Sequence, residues 1–149
     1  MSTGAIYIGG ARLIDGSGEP PPGGPQALLV EGERITAVAP QAELSPPPGA
    51  RVIDAGGMTV LPGLIDCHDH LANLGGGMVT RAAIPPSLAV FLAAESFRQT
   101  LQAGITSVRD ASGVDLGMKM AVERGLIPGP RLKISVNIIC QFGGHNDHT

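Results

Sequence analysis

His68 and His70 stand one residue apart at the end of the run Val60-Leu61-Pro62-Gly63-Leu64-Ile65. In a β-strand, residues i and i+2 face the same way, so an extended backbone sends both rings to one side and Asp69 to the other. Two neutral imidazoles side by side at a strand end can hold a divalent metal such as zinc. A bare His-x-His reads as readily as two surface histidines in a loop. The apolar strand feeding the pair, and the elements that follow it, favour the metal reading. Asp66 shares the parity of the two histidines, so it either hydrogen-bonds toward the site or is structural. Asp110, at the end of a second expected strand, either orients a ligand histidine or caps the next loop. Cys67 has the opposite parity and is expected to face the surrounding helices as a core thiol, and Cys140 is read likewise. Asn146, Asp147 and His148 form a further polar group at the chain end, read as a solvated segment and not a second metal site.

The elements that must position these residues differ on either side of Val60. Before it, Ala5–Ile8, Arg12–Ile14, Ala27–Glu31, Arg34–Val38, Arg51–Asp54 and Met58–Val60 are short apolar or β-branched segments. Gly32-Glu33 has the spacing of a two-residue hairpin turn. The segments 15–26 and 40–50 are rich in Pro, Gly and Ser and are expected to be surface loops. After the strand ending at His70 come Gly75-Gly76-Gly77 and Ile84-Pro85-Pro86. The glycine run lacks the Lys-Ser/Thr of a phosphate loop. Ser87 is the expected N-cap of a helix whose apolar stripe is Val90, Ala94, Phe97 and Leu101, closed by Gly104. A strand over 105–110, a helix over 115–125 and a strand over 131–140 follow. Strand, helix, strand, helix, strand is the signature of βαβ units and a parallel sheet. Three parallel strands with an open edge would leave apolar surface uncovered, so the chain is expected to be the front portion of something larger.

Composition narrows the class. The chain has 149 residues, 43% hydrophobic and 15% charged, which is globular. A net charge of −3 and 3% aromatics offer no basic footprint and little to stack on bases, which argues against nucleic-acid binding. No apolar run approaches the roughly 20 residues of a membrane span, and the N-terminus has no signal-like pattern. With only Cys67 and Cys140, a disulfide framework is not indicated, and the cytoplasm is the expected compartment.

The run Val60 to His70 resembles the first barrel strand of the metal-dependent amidohydrolase superfamily. Leu29 to Ile35 and Val52 to Gly57 resemble that superfamily's N-terminal β-sandwich. Ala103 to Asp110 and Gly143-Gly144-His145-Asn146-Asp147 are similar to its imidazolonepropionase-like and Xaa-Pro-dipeptidase-like branch. The resemblance implies an α/β chain. Residues 1–59 would belong to the sandwich, and 60–149 would supply the first three strands and two helices of a (β/α)₈ barrel with its site at the strands' C-terminal ends. It implies His68 and His70 as ligands of one or two divalent ions, zinc expected, and His145 as a substrate contact, against the plainer reading of a loop histidine. The implied reaction is hydrolysis of a carbon–nitrogen bond in a small amide, cyclic amide or dipeptide-like substrate by metal-activated water. The family's further ligands, a strand-four lysine, two more histidines and the strand-eight catalytic aspartate, have no counterparts here; Lys119 and Lys133 do not match the bridging position. Two alternatives stand beside this reading: a catalytically incomplete fragment or subunit needing a partner chain, and a deaminase or cyclic-imide hydrolase of the same superfamily. The complete enzyme is expected to be a homo-oligomer.

Overall fold

The computed structural model describes residues 4–19, 22–73 and 84–144. The chain divides into two compact units, Met1–Pro62 and Gly63–Thr149.

The first unit is built on β1 (Ile6–Leu13), β2 (Gln26–Glu31), β3 (Arg34–Pro40), β4 (Arg51–Asp54) and β5 (Thr59–Val60). The order is β3-β2-β1-β4, with β5 on β1. The two segments expected at 5–8 and 12–14 are one strand. Its first half, Ile6 to Gly9, pairs in parallel with β4, and Arg12 and Leu13 pair with β5. Gly10 between them has φ +84°, and a Cβ there would crowd the Gly56 backbone, so glycine lets the strand change partner. Among the described residues β1 thus takes part in two ladder systems, one with β2 and β4 and one with β5. Because β5 pairs with β1, the unit extends to Pro62, beyond the expected boundary at 59.

The second unit holds three parallel strands, β6 (Leu64–Asp69), β7 (Ile105–Asp110) and β8 (Arg131–Ile134), in the order β6-β7-β8. Helix α1 (Pro86–Gln102) lies in the chain between β6 and β7, and α2 (Leu116–Glu123) between β7 and β8. Phe97, Ala93, Val108, Leu132, Val114, Met118 and Leu71 form its core. Val108 and Leu132 are register partners in adjacent parallel strands, so their side chains leave the same sheet face. That face meets the helices.

Helix α1 starts one residue before the expected cap. Pro85 is the N-cap, its carbonyl accepting the N–H of Ala89 at 3.1 Å, and Pro86 opens the helix. A proline at the first helical position lacks an N–H that would be orphaned anyway, so no Ser87 cap is needed. Val90, expected on the buried stripe, is exposed; the fully buried pair is Ala93 and Phe97, four residues apart. Gly104, at φ +86°, ends the helix as expected. Helix α2 is capped by Asp115, whose Oδ1 accepts the Met118 N–H at 2.8 Å.

Strand β8 stops at Ile134, well short of the expected 140. The Ser135 N–H turns to the Asp110 carbonyl, and Val136 takes φ +67°, which a β-branched residue rarely adopts. Its carbonyl then accepts from Gly113. The alternation expected through Val136 and Ile138 ends there.

Candidate metal centre

Strand β6 delivers His68 through an irregularity. Asp66 pairs with Val108 and Asp69 with Asp110, so Cys67 and His68 together oppose the single residue Arg109. This is a β-bulge, which inserts a residue and re-aims the side chains beyond it. Upstream, Asp66 Oδ1 accepts the His68 N–H at 2.9 Å. Arg109 donates its Nε–H to the Cys67 carbonyl at 2.5 Å. Downstream, Ala111 N–H donates to Asp69 O at 2.8 Å.

The register of β6 on β7 overturns the parity argument for Asp66 and Cys67. As the partner of Val108, Asp66 shares the helix-facing side of the sheet, and its carboxylate serves the backbone of His68, not a histidine ring. Cys67 is exposed instead of buried as a core thiol, because Asp66 takes the helix-facing position and Cys67 stands opposite the exposed Arg109; Cys140, beyond the shortened β8, is exposed as well.

The rings of His68 and His70 lie 5.3 Å apart between centroids, at 81° to one another. His70 Nδ1 is 3.2 Å from the Ser112 carbonyl oxygen. A carbonyl only accepts, so Nδ1 carries the proton and Nε2 keeps its lone pair. A backbone carbonyl on the remote nitrogen is the usual way of fixing the tautomer of a metal-ligating histidine. The donor set therefore fits a divalent cation in part. Among the described residues, no group of three His, Cys, Asp or Glu side chains could hold a metal ion.

His68 lines a cavity of ≈510 Å³ with Arg109, Lys133, Ser135, Asn137 and Ile138. Arg109 and Lys133 are register partners, so both cations stand on the face opposite the core. His70 borders a second cavity of ≈480 Å³ with Asp69, Asn73, Glu95 and Gln99. There Arg98 and Gln99 hold the exposed Glu95 carboxyl at about 2.

Asp110 is fully buried. Oδ2 accepts the Leu71 N–H at 2.8 Å and Oδ1 accepts that of Val114 at 3.2 Å. Burial pushes its carboxyl up from the ordinary range, against those two N–H groups and the nearby His70. Its hydrogen bonds go to backbone rather than to an imidazole, which is the capping alternative. His145 and the group 146–148 lie outside the described residues, as does the glycine run 75–77. Arg109 and Ser112 were not singled out in the sequence. A signal for Arg109 was present, since a cation inside a parallel strand conflicts with burial on both faces.

Residues 59–141, more than half of the chain, match the family model described as the amidohydrolase family. The imidazolonepropionase of Pseudomonas syringae pv. tomato is 34% identical over 121 residues, covering 62% of this chain and 30% of its own. That of Pseudomonas aeruginosa PAO1 is 32% identical over 145 residues, covering 76% of this chain and 36% of its own. The crystal structure of a prolidase complexed with N-methylphosphonate-L-proline superposes with a TM-score of 0.82 at 34% identity, over 95% of this chain and 34% of the prolidase. The chain thus spans about a third of the length of these relatives. The histidine pair at the mouth of a parallel sheet sits inside the matched span, and the chain belongs to the amidohydrolase family.

Proposed function

We propose that this chain carries the opening strands of the catalytic barrel of a metal-dependent hydrolase acting on carbon–nitrogen bonds, with His68 and His70 as two of its metal ligands. The observation that carries this reading is the pair itself, two rings 5.3 Å apart at the C-terminal end of a parallel strand. Ligands in open α/β sheets and barrels bind at that end. A bound divalent ion, zinc in this reading, supplies an activated water and polarises the scissile carbonyl.

The chain's own residues do the positioning. Ser112 O holds the proton of His70 on Nδ1, which leaves Nε2 free to ligate. Asp110 ties the loop after β6 to the loop after β7, so the rim is braced by a buried carboxylate. Asp66 fixes the backbone of His68. These two aspartates are proposed as supports of the ligands and His145 as the substrate contact. The favoured substrates are small amides, cyclic amides or dipeptide-like molecules, supported by relatives named imidazolonepropionase and prolidase; deaminating and cyclic-imide hydrolysing members are the neighbouring choice. A cytoplasmic homo-oligomer is the proposed setting, and among the described residues no helix is long and apolar enough to cross a membrane.

A second reading is favoured by the donor count. Two imidazoles leave a hydrolytic centre short of ligands, so the remaining groups would come from further barrel strands, in the same polypeptide or a partner chain. Intact-mass measurement of the purified protein, together with assay on a panel of dipeptides and cyclic amides, decides between them. A 15.2 kDa species without a copurifying chain should be inactive under the second reading; turnover by that species alone would refute it.

A further inference from the structure

We propose that Arg109 is a positioning residue for the His68–His70 pair, its guanidinium holding closed the bulge that aims His68. The inference rests on the reading of the pair as metal ligands and deepens it. Between Asp66 and Asp69, β6 carries one residue more than β7, so the carbonyl of Cys67 loses its place in the ladder. Arg109, the β7 residue facing the bulge, supplies the missing donor from its side chain. The carbonyl at the extra residue is thus satisfied by the side chain of the β7 residue opposite it.

The geometry gives this bond a consequence for the site. Relaxed to a regular ladder, β6 would pair Cys67 with Arg109 and His68 with Asp110. Side chains alternate with a period of two, so His68 would then turn to the Val108 face, out of the cavity it lines with Arg109 and Lys133. The bulge is what keeps His68 on the face that carries Arg109 and Lys133. Asp66 and Ala111 hold its flanks, and the Arg109 side chain closes its centre. Arg109 is itself exposed, so its replacement leaves the core of this unit intact.

The test is a Co²⁺ titration of the metal-free chain, read by visible absorption, for the parent and for Arg109→Met, Arg109→Lys, His68→Ala and His70→Ala. In parallel, NOEs from the His68 ring protons to the side chains that share its cavity, Lys133, Ser135 and Ile138, are recorded without metal. Arg109→Met should weaken Co²⁺ binding by about ten-fold or more, the range found for lost ligand-supporting contacts, and diminish the NOEs from the His68 ring to its cavity neighbours while the chain remains folded. Arg109→Lys keeps the charge without the planar Nε donor and should fall between; it is read the same way if the Met variant does not fold. Parent-like Co²⁺ affinity and NOE in the Arg109 variants, with binding lost in His68→Ala, would overturn the positioning role and leave the metal reading standing. Parent-like binding in both histidine variants would remove the metal reading instead, and the metal-free NOE would then decide the role of Arg109.

Discussion

The carboxylate of Asp110 accepts the backbone N–H of Leu71 at 2.8 Å, with both residues buried at the rim of the parallel sheet. A second bond, from Val114 N–H to the other carboxylate oxygen, makes this one side chain the tie between two loops. Replacing it with asparagine keeps the shape but turns an N–H₂ toward one of the two donors. A buried donor left without an acceptor costs about 1–3 kcal/mol. Asp110→Asn should therefore lower stability by about that amount in urea unfolding. Unchanged stability would show that the tie is dispensable.

The same carboxyl carries a pH signature. Burial raises its pKa in the folded chain, so the native state holds the proton more tightly than the unfolded state. Stability contributed by the protonated form is then present below the ordinary aspartate range and is lost as pH rises through the raised value. The parent should lose stability across that window relative to Asp110→Asn, whose curve lacks this component. Parallel pH–stability curves for the two proteins would contradict the assignment.

The histidine pair is tested by metal content. His68→Ala or His70→Ala should each strip most of the metal from protein expressed in zinc-supplemented medium, measured by plasma emission spectrometry. Exchange of Cys67 for serine should leave the content unchanged, since the thiol is not in the donor set proposed. Retention of full metal by both alanine variants would remove the ligand assignment.

Gly63 lies against Thr106, and a Cβ on Gly63 would overlap the threonine side chain. Gly63→Ala should cost about 1–3 kcal/mol as an overpacking substitution, seen as a lower thermal midpoint. Thr106→Ala in the same chain should recover part of the loss, because it removes the two outer atoms in the way. Additive losses in the double variant would mean the clash is relieved elsewhere.

Phe97 is fully buried at the centre of the second unit's core. Phe97→Ala should lower stability by about 3–5 kcal/mol, enough to unfold a marginal unit. Val90→Ala, on the exposed side of the same helix, should change the midpoint little. Equal losses from both would mean that the helix packs on a different face.

Much of the fold was legible in the residues themselves. Local propensity and punctuation placed β7 at Ile105–Asp110 without error and located both helices to within two residues at each end. The histidine spacing pointed to the end of β6. These features depend on neighbours close in sequence: proline at a helix start, glycine at its end, alternation along a strand.

What those residues could not decide were relations between strands. Whether 5–8 and 12–14 form one strand or two depends on which partners flank Gly10. Where β8 ends depends on Ser135 donating to Asp110. The facing of Asp66, Cys67 and His68 depends on one extra residue relative to β7, and a register is a property of two strands, never of one. The sequence by itself determined that two imidazoles stand at a strand end. Only the tertiary structure decided that a bulge, with the Arg109 side chain on the Cys67 carbonyl, sets the sheet face that His68 takes.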